Sequence, residues 1–351
     1  MKAITVAPGA PNTVRLEDRP EPAADRSTLL VQAIALGVCG TDREIISGAY
    51  GWAPPGKERL ILGHESLGRV LEAPESSDFQ KGDLVVGIVR RPDPVPCPSC
   101  ALDEWDMCRN GQYTEHGIKS VDGYGAERFR LEPAFAVKVS PSLGMRGVLL
   151  EPASILAKAW DHIDRIGHRT RSWQPRTVLV TGAGPVGLLG ALMGRQRGLD
   201  VHVLDRADKG PKPELVAALG GTYHAGALDE AFLPDIIIEC TGALPLVVDV
   251  LKRAGPDSVV CLTGVSSSGR PLPFDFGNFN RNMVLRNAVT FGSVNANRTH
   301  YEAAAEALAK ADPRWLGRLI TRRVPLDDWR EAFTSHPDDI KVVLQFSEAP
   351  E

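Results

Sequence analysis

The sequence predicts an α/β fold with two domains, one β-rich and the other built on a doubly wound parallel sheet. Three observations support this prediction. The chain has 351 residues, which is more than one ordinary hydrophobic core needs. Up to about residue 150 it consists of short apolar segments interrupted by glycine and proline, as strands and turns are. From Arg176 onward, apolar strands alternate with helical stretches, which is the order of a parallel sheet with crossover helices.

Individual segments fix the predicted domain limits. The segment EPASILAKAWDHID has apolar residues at helical spacing and is predicted to be the helix that crosses between the domains. The terminal strand KVVLQF is predicted to return to the first domain. We therefore predict a first domain over residues 1–155, completed by 296–351, and a parallel-sheet domain over 156–295. The predicted parallel strands are TVLVT, VHVLD, DIIIEC and SVVCLTG.

Composition excludes several classes of function. The formal charge of −4 offers no basic surface for nucleic acid, and no run of eighteen apolar residues predicts a membrane span. The N-terminal segment MKAITVAPGA lacks the apolar stretch of a secretory signal, so we expect a cytoplasmic protein. Three of the six cysteines fall within twelve residues, which indicates metal ligands rather than a disulfide framework.

A glycine-rich turn predicts a dinucleotide site. Gly182, Gly184 and Gly187 form G-x-G-x-x-G directly after a predicted strand and at the start of a helix. In this context the first glycine permits a tight turn and the second lets the backbone approach the pyrophosphate. The third allows close packing of helix on strand. The alternative interpretation is a strand-to-helix turn in some other α/β fold.

The next strand carries the residues that would distinguish the two nicotinamide cofactors. Asp205 ends this strand, where a carboxylate accepts hydrogen bonds from ribose hydroxyls and repels a 2′-phosphate, so NAD is favoured. Arg206 is adjacent and Lys209 is near, and either could pair with the phosphate of NADP. Arg206 is otherwise an ordinary surface charge.

Two residues in separate loops indicate a catalytic metal site. Cys39 lies in GVCGTD and His64 in GHESLG, and a thiolate and an imidazole are two of the three protein ligands that a catalytic zinc needs. Taken singly, Cys39 is equally typical of a small buried side chain and His64 of a core histidine.

GVCGTD, GHESLG, GDLVVG and GAGPVG, in this order, resemble the zinc-containing medium-chain dehydrogenases. The chain resembles the prokaryotic glucose 1-dehydrogenase family in particular, through the segments GVCGTDREI, HGIKSVDGYGAER, LLEPAS and FGSVNAN. The resemblance covers essentially the whole chain. It implies a GroES-like catalytic domain, a Rossmann domain, catalytic zinc and NAD, with NADP as a second possibility.

The resemblance also implies roles around the metal. Glu151 would be the third ligand, although a carboxylate there would also stabilise the start of a helix. Glu65 would lie beside the metal or exchange onto it. Zinc would lower the pKa of the substrate hydroxyl, and hydride would pass to the nicotinamide. Thr41 is predicted to accept the departing proton, or alternatively to cap the helix that follows it.

A second cysteine cluster has one ligand fewer than the family pattern. Cys97, Cys100 and Cys108 keep three positions of a four-cysteine structural zinc lobe, and Pro94 occupies the first. Asp93 would complete a site with three thiolates and one carboxylate. The other interpretation is a lobe without metal.

The resemblance places Glu115 and Asn295 at the sugar, because carboxylate and amide groups suit a ligand with many hydroxyls. Some relatives have asparagine and aspartate where this chain has Val89 and Ile155. The expected substrate is therefore glucose or a related aldose. The alternatives are a polyol, aminocyclitol or secondary alcohol, or a non-catalytic dinucleotide-binding protein. A homodimer or homotetramer is expected. The further predicted cofactor contacts are Pro185, Val186, Thr263, Gly264, Val265, Ser293, Val294 and Asn295.

Overall fold

The computed structural model describes residues 1–266 and 271–348, which form two compact units. The first unit joins Met1–Ser154 to Asn295–Glu351, and the second is Ile155–Val294. Each observed boundary lies one residue before the predicted one. Among the described residues, no helix has both the length and the apolar character that crossing a membrane requires.

The first part of the chain is rich in strands. Its helices are α1 (Gly40–Ile46) and α2 (Leu150–Gly167), the latter running across the boundary between the units. The strands are β1 (Lys2–Val6), β2 (Arg15–Asp18), β3 (Leu29–Val38), β4 (Leu60–Ile61), β5 (Glu65–Glu72), β6 (Leu84–Gly87), β7 (Arg90–Arg91), β8 (Thr114–His116), β9 (Ser120–Val121), β10 (Arg128–Leu131) and β11 (Ala136–Val139).

The second unit alternates strands and helices as predicted. In chain order its elements are β12 (Thr177–Thr181), α3 (Pro185–Gln196), β13 (Asp200–Asp205), α4 (Pro211–Ala218), β14 (Thr222–Ala225), β15 (Ile236–Glu239), α5 (Leu244–Lys252), β16 (Val259–Leu262), α6 (Phe276–Arg286) and β17 (Val289–Gly292).

The chain then returns to the first unit. The returning elements are α7 (Arg298–Ala309), α8 (Pro313–Leu319), β18 (Ile320–Pro325), α9 (Trp329–Phe333) and β19 (Lys341–Gln345). Short 3-10 helices occur at Cys100–Leu102, Trp105–Met107, Pro133–Phe135, Pro141–Leu149 and Leu326–Asp328.

A seven-stranded sheet forms the centre of the first unit. Its order is β11-β6-β5-β3-β19-β18, with β10 also pairing with β3. β3 pairs antiparallel with both β5 and β19, so segments from the two ends of the chain meet on one strand. Apolar side chains of these strands are fully buried, including Val31, Leu36 and Leu344.

The second unit is a six-stranded parallel sheet with the order β14-β13-β12-β15-β16-β17. Numbered within the sheet, this is 3-2-1-4-5-6, the order of a doubly wound dinucleotide-binding fold. Its central strands are buried on both faces, which accounts for the uninterrupted apolar runs VLV in TVLVT and III in DIIIEC. The predicted fold class is confirmed.

Candidate active site and cofactor sites

The structure brings together Cys39, His64 and Glu65. Cys39 follows β3 and is the N-cap of α1, His64 lies in the turn before β5, and Glu65 is the first residue of β5. One ligand atom from each lies within 4.8 Å of the others. Thiolate, imidazole and carboxylate are the donors that zinc accepts, so this group fits a catalytic metal.

Asp42 orients the histidine of this group. Its Oδ1 lies 3.5 Å from Nδ1 of His64, and both atoms are buried without a hydrogen-bond partner among the described residues. With Nδ1 facing Asp42, the other ring nitrogen is left for a metal, as is usual for metal-bound histidines. Burial, the largest single influence, lowers the pKa of His64, but the interactions with Asp42 and Cys39 together outweigh it and raise the pKa well above its ordinary value. Metal binding would therefore release a proton.

Glu65 makes a buried ion pair with Lys341. The ammonium of Lys341 lies 2.7 and 2.6 Å from the two carboxylate oxygens and donates to both. Gly37 on the neighbouring strand leaves room for this carboxylate, because an added Cβ at Gly37 would collide with Glu65 Oε2. Glu65 is thus held by a cation beside the other two ligand atoms.

Glu151 lies outside the group of three. It is the second residue of α2 and is buried. Burial raises the pKa of Glu151 to about 7, with the charge of His64 opposing this and that of Glu65 adding to it. These mutual electrostatic effects place Glu151 in the same electrostatic environment as the metal group. Its role as third ligand stays a prediction.

Thr41 does not cap α1. Cys39 occupies the N-cap position, and Asp42 accepts a 2.8 Å hydrogen bond from the Cys39 backbone N–H, as the third residue of a capping box does. The Thr41 hydroxyl lies 3.9 Å from the Cys39 sulfur. The alternative capping interpretation of Thr41 was therefore wrong, whereas its predicted proton transfer is untested.

The second cysteine cluster is assembled as the spacing predicts. The sulfurs of Cys97, Cys100 and Cys108 lie within 4.8 Å of one another. Backbone N–H groups of Arg109 and Cys100 lower the pKa of Cys97 to about 6, so one thiolate forms readily. Asp93 is adjacent but outside this group: its carboxylate accepts from the Val95 N–H at 2.8 Å and from Asn110 Nδ2 at 2.7 Å. Each of these oxygens accepts one of the two bonds and keeps a further acceptor position, so the contacts are compatible with Asp93 as a fourth ligand.

Glu115 is held rigidly with one oxygen free. Its Oε1 accepts from Arg90 Nε at 3.0 Å, Arg90 Nη2 at 2.9 Å and Asn295 Nδ2 at 2.7 Å. Within the described parts of the chain, no hydrogen bond to Oε2 is found. Arg90 is itself buried, with its guanidinium 3.7 Å from the centre of the Tyr113 ring. The predicted sugar residues Glu115 and Asn295 are thus in direct contact.

The three glycines of the dinucleotide motif have the expected conformations. Gly182 has φ +87°, which favours glycine, and an added Cβ at Gly187 would collide with the Gly182 carbonyl. At Gly184 an added Cβ would meet no heavy atom of the described residues within 4 Å. The space beside Gly184 is therefore open to a ligand, while α3 begins at Pro185 and Val186 follows it. This arrangement fits a pyrophosphate at the N-terminus of α3, a helix of twelve residues.

The other predicted cofactor residues follow strands at the same edge of the sheet. Asp205 ends β13, and Arg206 beside it is exposed. Ser293 follows β17, and its buried hydroxyl has no hydrogen-bond partner among the described residues. Thr263 and Gly264 both bond to the Glu239 carbonyl, and Val265 and Val294 are exposed.

Four residues that support the predicted site residues were not anticipated. Asp42, Arg90 and Lys341 contact His64, Glu115 and Glu65 as described above, and the ammonium of Lys212 lies 3.2 Å from both carboxylate oxygens of Asp205. The capping-box spacing between Cys39 and Asp42 was a usable signal for Asp42. No sequence pattern near the other three residues indicates which side chain each one contacts.

Known proteins are similar to this chain over nearly its whole length. The family described as "Alcohol dehydrogenase GroES-like domain" matches residues 25–141, and "Glucose dehydrogenase C-terminus" matches 144–346. Glucose 1-dehydrogenase 1 of Caldivirga maquilingensis is 40% identical, with 99% of each chain covered. Glucose 1-dehydrogenase 2 of Vulcanisaeta moutnovskia is 41% identical, over 98% of this chain and 99% of that one.

A solved structure is similar over the same extent. It is Haloferax mediterranei glucose dehydrogenase in complex with NADP, zinc and gluconolactone, with a TM-score of 0.91, 32% identity and 99% coverage of both chains. The present chain belongs to the zinc-containing medium-chain dehydrogenases and, within them, to the glucose dehydrogenase family.

Proposed function

We propose that this chain is a zinc-dependent sugar dehydrogenase that oxidises C1 of glucose or a related aldose to the lactone with NAD(P). One observation carries the proposal. Cys39 and His64 come together beside Glu65, with donor atoms that fit zinc, in a chain that matches, over 99% of both lengths, an enzyme described with NADP, zinc and gluconolactone.

The proposed metal residues are Cys39 and His64, with Glu151 as third ligand. When bound, zinc supplies a Lewis acid that makes a substrate hydroxyl more acidic. Asp42 holds the His64 ring in place, and Lys341 balances the charge of Glu65 beside it.

Thr41 is proposed to receive the hydroxyl proton. Its hydroxyl is both a donor and an acceptor, and it lies beside the Cys39 sulfur, so it can take a proton and pass one on. A threonine has no useful basicity alone, and its contribution is a short path for the proton.

Glu115 and Asn295 are proposed to select the sugar. The three donors on Glu115 Oε1 fix the carboxylate, and Oε2 is left as an acceptor for a substrate hydroxyl. An acceptor fixed in this way discriminates between hydroxyl patterns, since a sugar lacking that hydroxyl leaves it unpaired.

For the dinucleotide, we propose the pyrophosphate at Gly182, Gly184 and Gly187. The N-terminus of α3 would stabilise its charge, and the unpaired Ser293 hydroxyl offers a further polar contact. NAD or NADP then supplies the hydride acceptor. The other predicted contacts, from Asp205 to Asn295, are part of the same proposal.

The test is a panel of aldoses, polyols and secondary alcohols with NAD and NADP, monitored by absorbance of the reduced cofactor. We expect turnover of glucose or another aldose, and loss of activity and of zinc in Cys39→Ala. Cys261→Ala is the matched control, because Cys261 is a buried strand residue of the parallel sheet. No turnover of any aldose would refute the proposal. Dinucleotide binding by a metal-free protein would instead favour a non-catalytic role.

A second candidate is oxidation of a polyol, aminocyclitol or secondary alcohol by the same residues. Val89 and Ile155 favour it, because they are apolar where some relatives carry amide or carboxylate groups. Val89 is buried, and its N–H is bonded to the Tyr301 hydroxyl at 3.4 Å. In the same panel, a polyol with a higher kcat/KM than any aldose would establish this alternative.

We also propose a cytoplasmic homodimer or homotetramer. β17 is an edge strand, and α6 before it exposes Phe276, Val284 and Leu285, an apolar surface that a second copy would cover. Light scattering of the purified protein tests the oligomeric state: a dimer or larger assembly supports the proposed oligomer, and a monomer refutes it.

The free thiols of the cysteine cluster suit a reducing compartment, which supports the proposed cytoplasmic location.

A further inference from the structure

The carboxylate of Asp205 is fully engaged by the protein itself. Oδ2 accepts from the Ala183 N–H at 2.7 Å and from Lys212 Nζ at 3.2 Å. Oδ1 accepts from the Ala207 N–H at 3.0 Å and from the same ammonium at 3.2 Å. A carboxylate offers about four acceptor positions, so none is left for a ribose hydroxyl.

The ion pair between Asp205 and Lys212 is partly shielded from solvent. The side chains are 13% and 20% exposed, so added salt screens their attraction less than that of a surface pair. Partial burial raises the pKa of Asp205, but the Ala207 and Ala183 N–H groups and the charge of Lys212 outweigh it and hold the pKa low. The carboxylate is therefore ionised, and the ammonium of Lys212 balances its charge.

This pairing changes what Asp205 does to a dinucleotide. An unpaired carboxylate at the end of β13 would accept the ribose hydroxyls of NAD and repel a 2′-phosphate. With Lys212 in place this repulsion is offset, and its ammonium has three donors that a phosphate group can accept. Arg206 is exposed beside Asp205 and adds a second cation.

We propose that Lys212 determines the dinucleotide preference of this chain by neutralising Asp205 and by pairing with the 2′-phosphate of NADP. The inference rests on the proposed use of NAD(P). NAD binding requires the ribose to displace Lys212 from Asp205, whereas NADP binding gives the ammonium a new anionic partner. The chain therefore accepts both cofactors, despite the carboxylate that by itself predicts NAD.

The test compares Lys212→Met with the parent protein. Dissociation constants for NAD and NADP are measured by calorimetry on the full-length protein, without sugar. We expect the Kd for NADP to rise about tenfold or more, as loss of a charged phosphate contact does. The Kd for NAD is expected to stay unchanged or fall, because Asp205 becomes available. Lys212→Arg keeps a cation and should keep NADP binding within about threefold of the parent.

Lys252→Met is the matched control, an exposed lysine at the end of α5 in the same unit, and should leave both constants unchanged. If Lys212→Met leaves the ratio of the dissociation constants for NAD and NADP unchanged, whether or not both constants rise, the inference is overturned. The binding measurement needs no turnover. If the ratio of the two dissociation constants changes but no aldose is oxidised, only the proposed reaction is refuted. If an aldose is oxidised but the ratio does not change, only the role of Lys212 is refuted.

Discussion

Lys341 on β19 donates to both carboxylate oxygens of Glu65 on β5, although the two residues are 276 positions apart in the chain. Both side chains are only 2% exposed. The same ammonium lies 3.3 Å from the Val38 carbonyl, next to Cys39. The proposed metal group is therefore built around a fixed positive charge. Burial, the largest single influence, lowers the pKa of Lys341, but the interactions with Glu65, Cys39 and Glu151 together outweigh it and raise the pKa above its ordinary value.

Removing this cation should destabilise the first unit. Lys341→Met leaves Glu65 as a buried charge without a partner, which costs about 3–5 kcal/mol when one member of a buried pair is removed. The urea midpoint of unfolding should fall accordingly. The double variant Glu65→Gln with Lys341→Met should recover most of the loss, since neither charge then remains buried. If the single variant lost less than about 1 kcal/mol, the pair would not be a buried one in solution.

The third metal ligand can be decided by substituting the two candidate carboxylates separately. Glu151→Ala should lower zinc retention during dialysis against a chelator by about tenfold or more, because a direct ligand is lost. Glu65→Gln should retain zinc but lower the urea midpoint, because Lys341 loses its partner. Metal analysis of both variants is the measurement. If Glu65→Gln lost more zinc than Glu151→Ala, Glu65 would be identified as the third ligand.

The cysteine cluster should hold a second zinc ion. Parent protein is expected to contain about two zinc ions per chain, and Cys100→Ser about one. The matched control, Cys261→Ser, removes a buried thiol elsewhere and should keep both. About one zinc in the parent would mean that the lobe is metal-free. Asp93→Asn tests the fourth ligand: loss of one zinc supports Asp93, and two retained ions exclude it.

Stability should fall with acid because of His116. Burial, helped by the charge of Arg91, lowers the pKa of this imidazole to about 3, and its Nδ1 lies 2.7 Å from the Asp122 carbonyl. Between this value and the unfolded pKa of about 6.5, the unfolded chain binds one more proton than the folded chain. The contribution of His116 to the free energy of unfolding is therefore complete above pH 6.5. It decreases toward pH 3 by at most about 1.4 kcal/mol per pH unit.

The measurement is the urea midpoint at a series of pH values for parent and His116→Asn. The variant is expected to be less stable at pH 7, because His116 stacks on Tyr124 at 4.7 Å between ring centres. Its midpoint should nevertheless depend less on pH below 6.5. Parallel pH curves for the two proteins would contradict the assignment to His116.

Local features of the fold were predictable from sequence, because their causes are local. A buried strand, Gly182 with positive φ and a helix beginning at Pro185 lie within a few residues, so the motif specifies its own geometry. Cys39 and His64 were predicted to meet because a thiolate and an imidazole are ligands of a catalytic zinc, and the structure brings their ligand atoms together. The sulfurs of Cys97 and Cys100 were similarly constrained by their spacing.

Contacts between distant segments could not be predicted in this way. Nothing near Glu65 indicates that its partner is Lys341, and an alternating strand pattern would assign a lysine to an exposed position. Two local details were not predictable either. Asp205 was predicted to bind ribose, but its carboxylate is engaged by Lys212, only seven positions along the chain, through a rotamer that the sequence does not specify. Thr41 was a reasonable cap by residue type, yet Cys39 is the N-cap and α1 begins at Gly40, two residues before the predicted start at Asp42.

The position of β19 in the central sheet has a consequence for biosynthesis. This strand pairs with β3 and β18, so the first unit needs residues 341–345 before its main sheet is complete. The parallel-sheet unit is continuous, and all its strands have been translated by residue 292. During synthesis the parallel-sheet unit can therefore fold first, while β3, which precedes Cys39, and β5, which begins at Glu65, are without β19 until the end of the chain is made. A nascent chain arrested before Lys341 would have Glu65 without its counterion, and zinc loading is then expected to follow release from the ribosome.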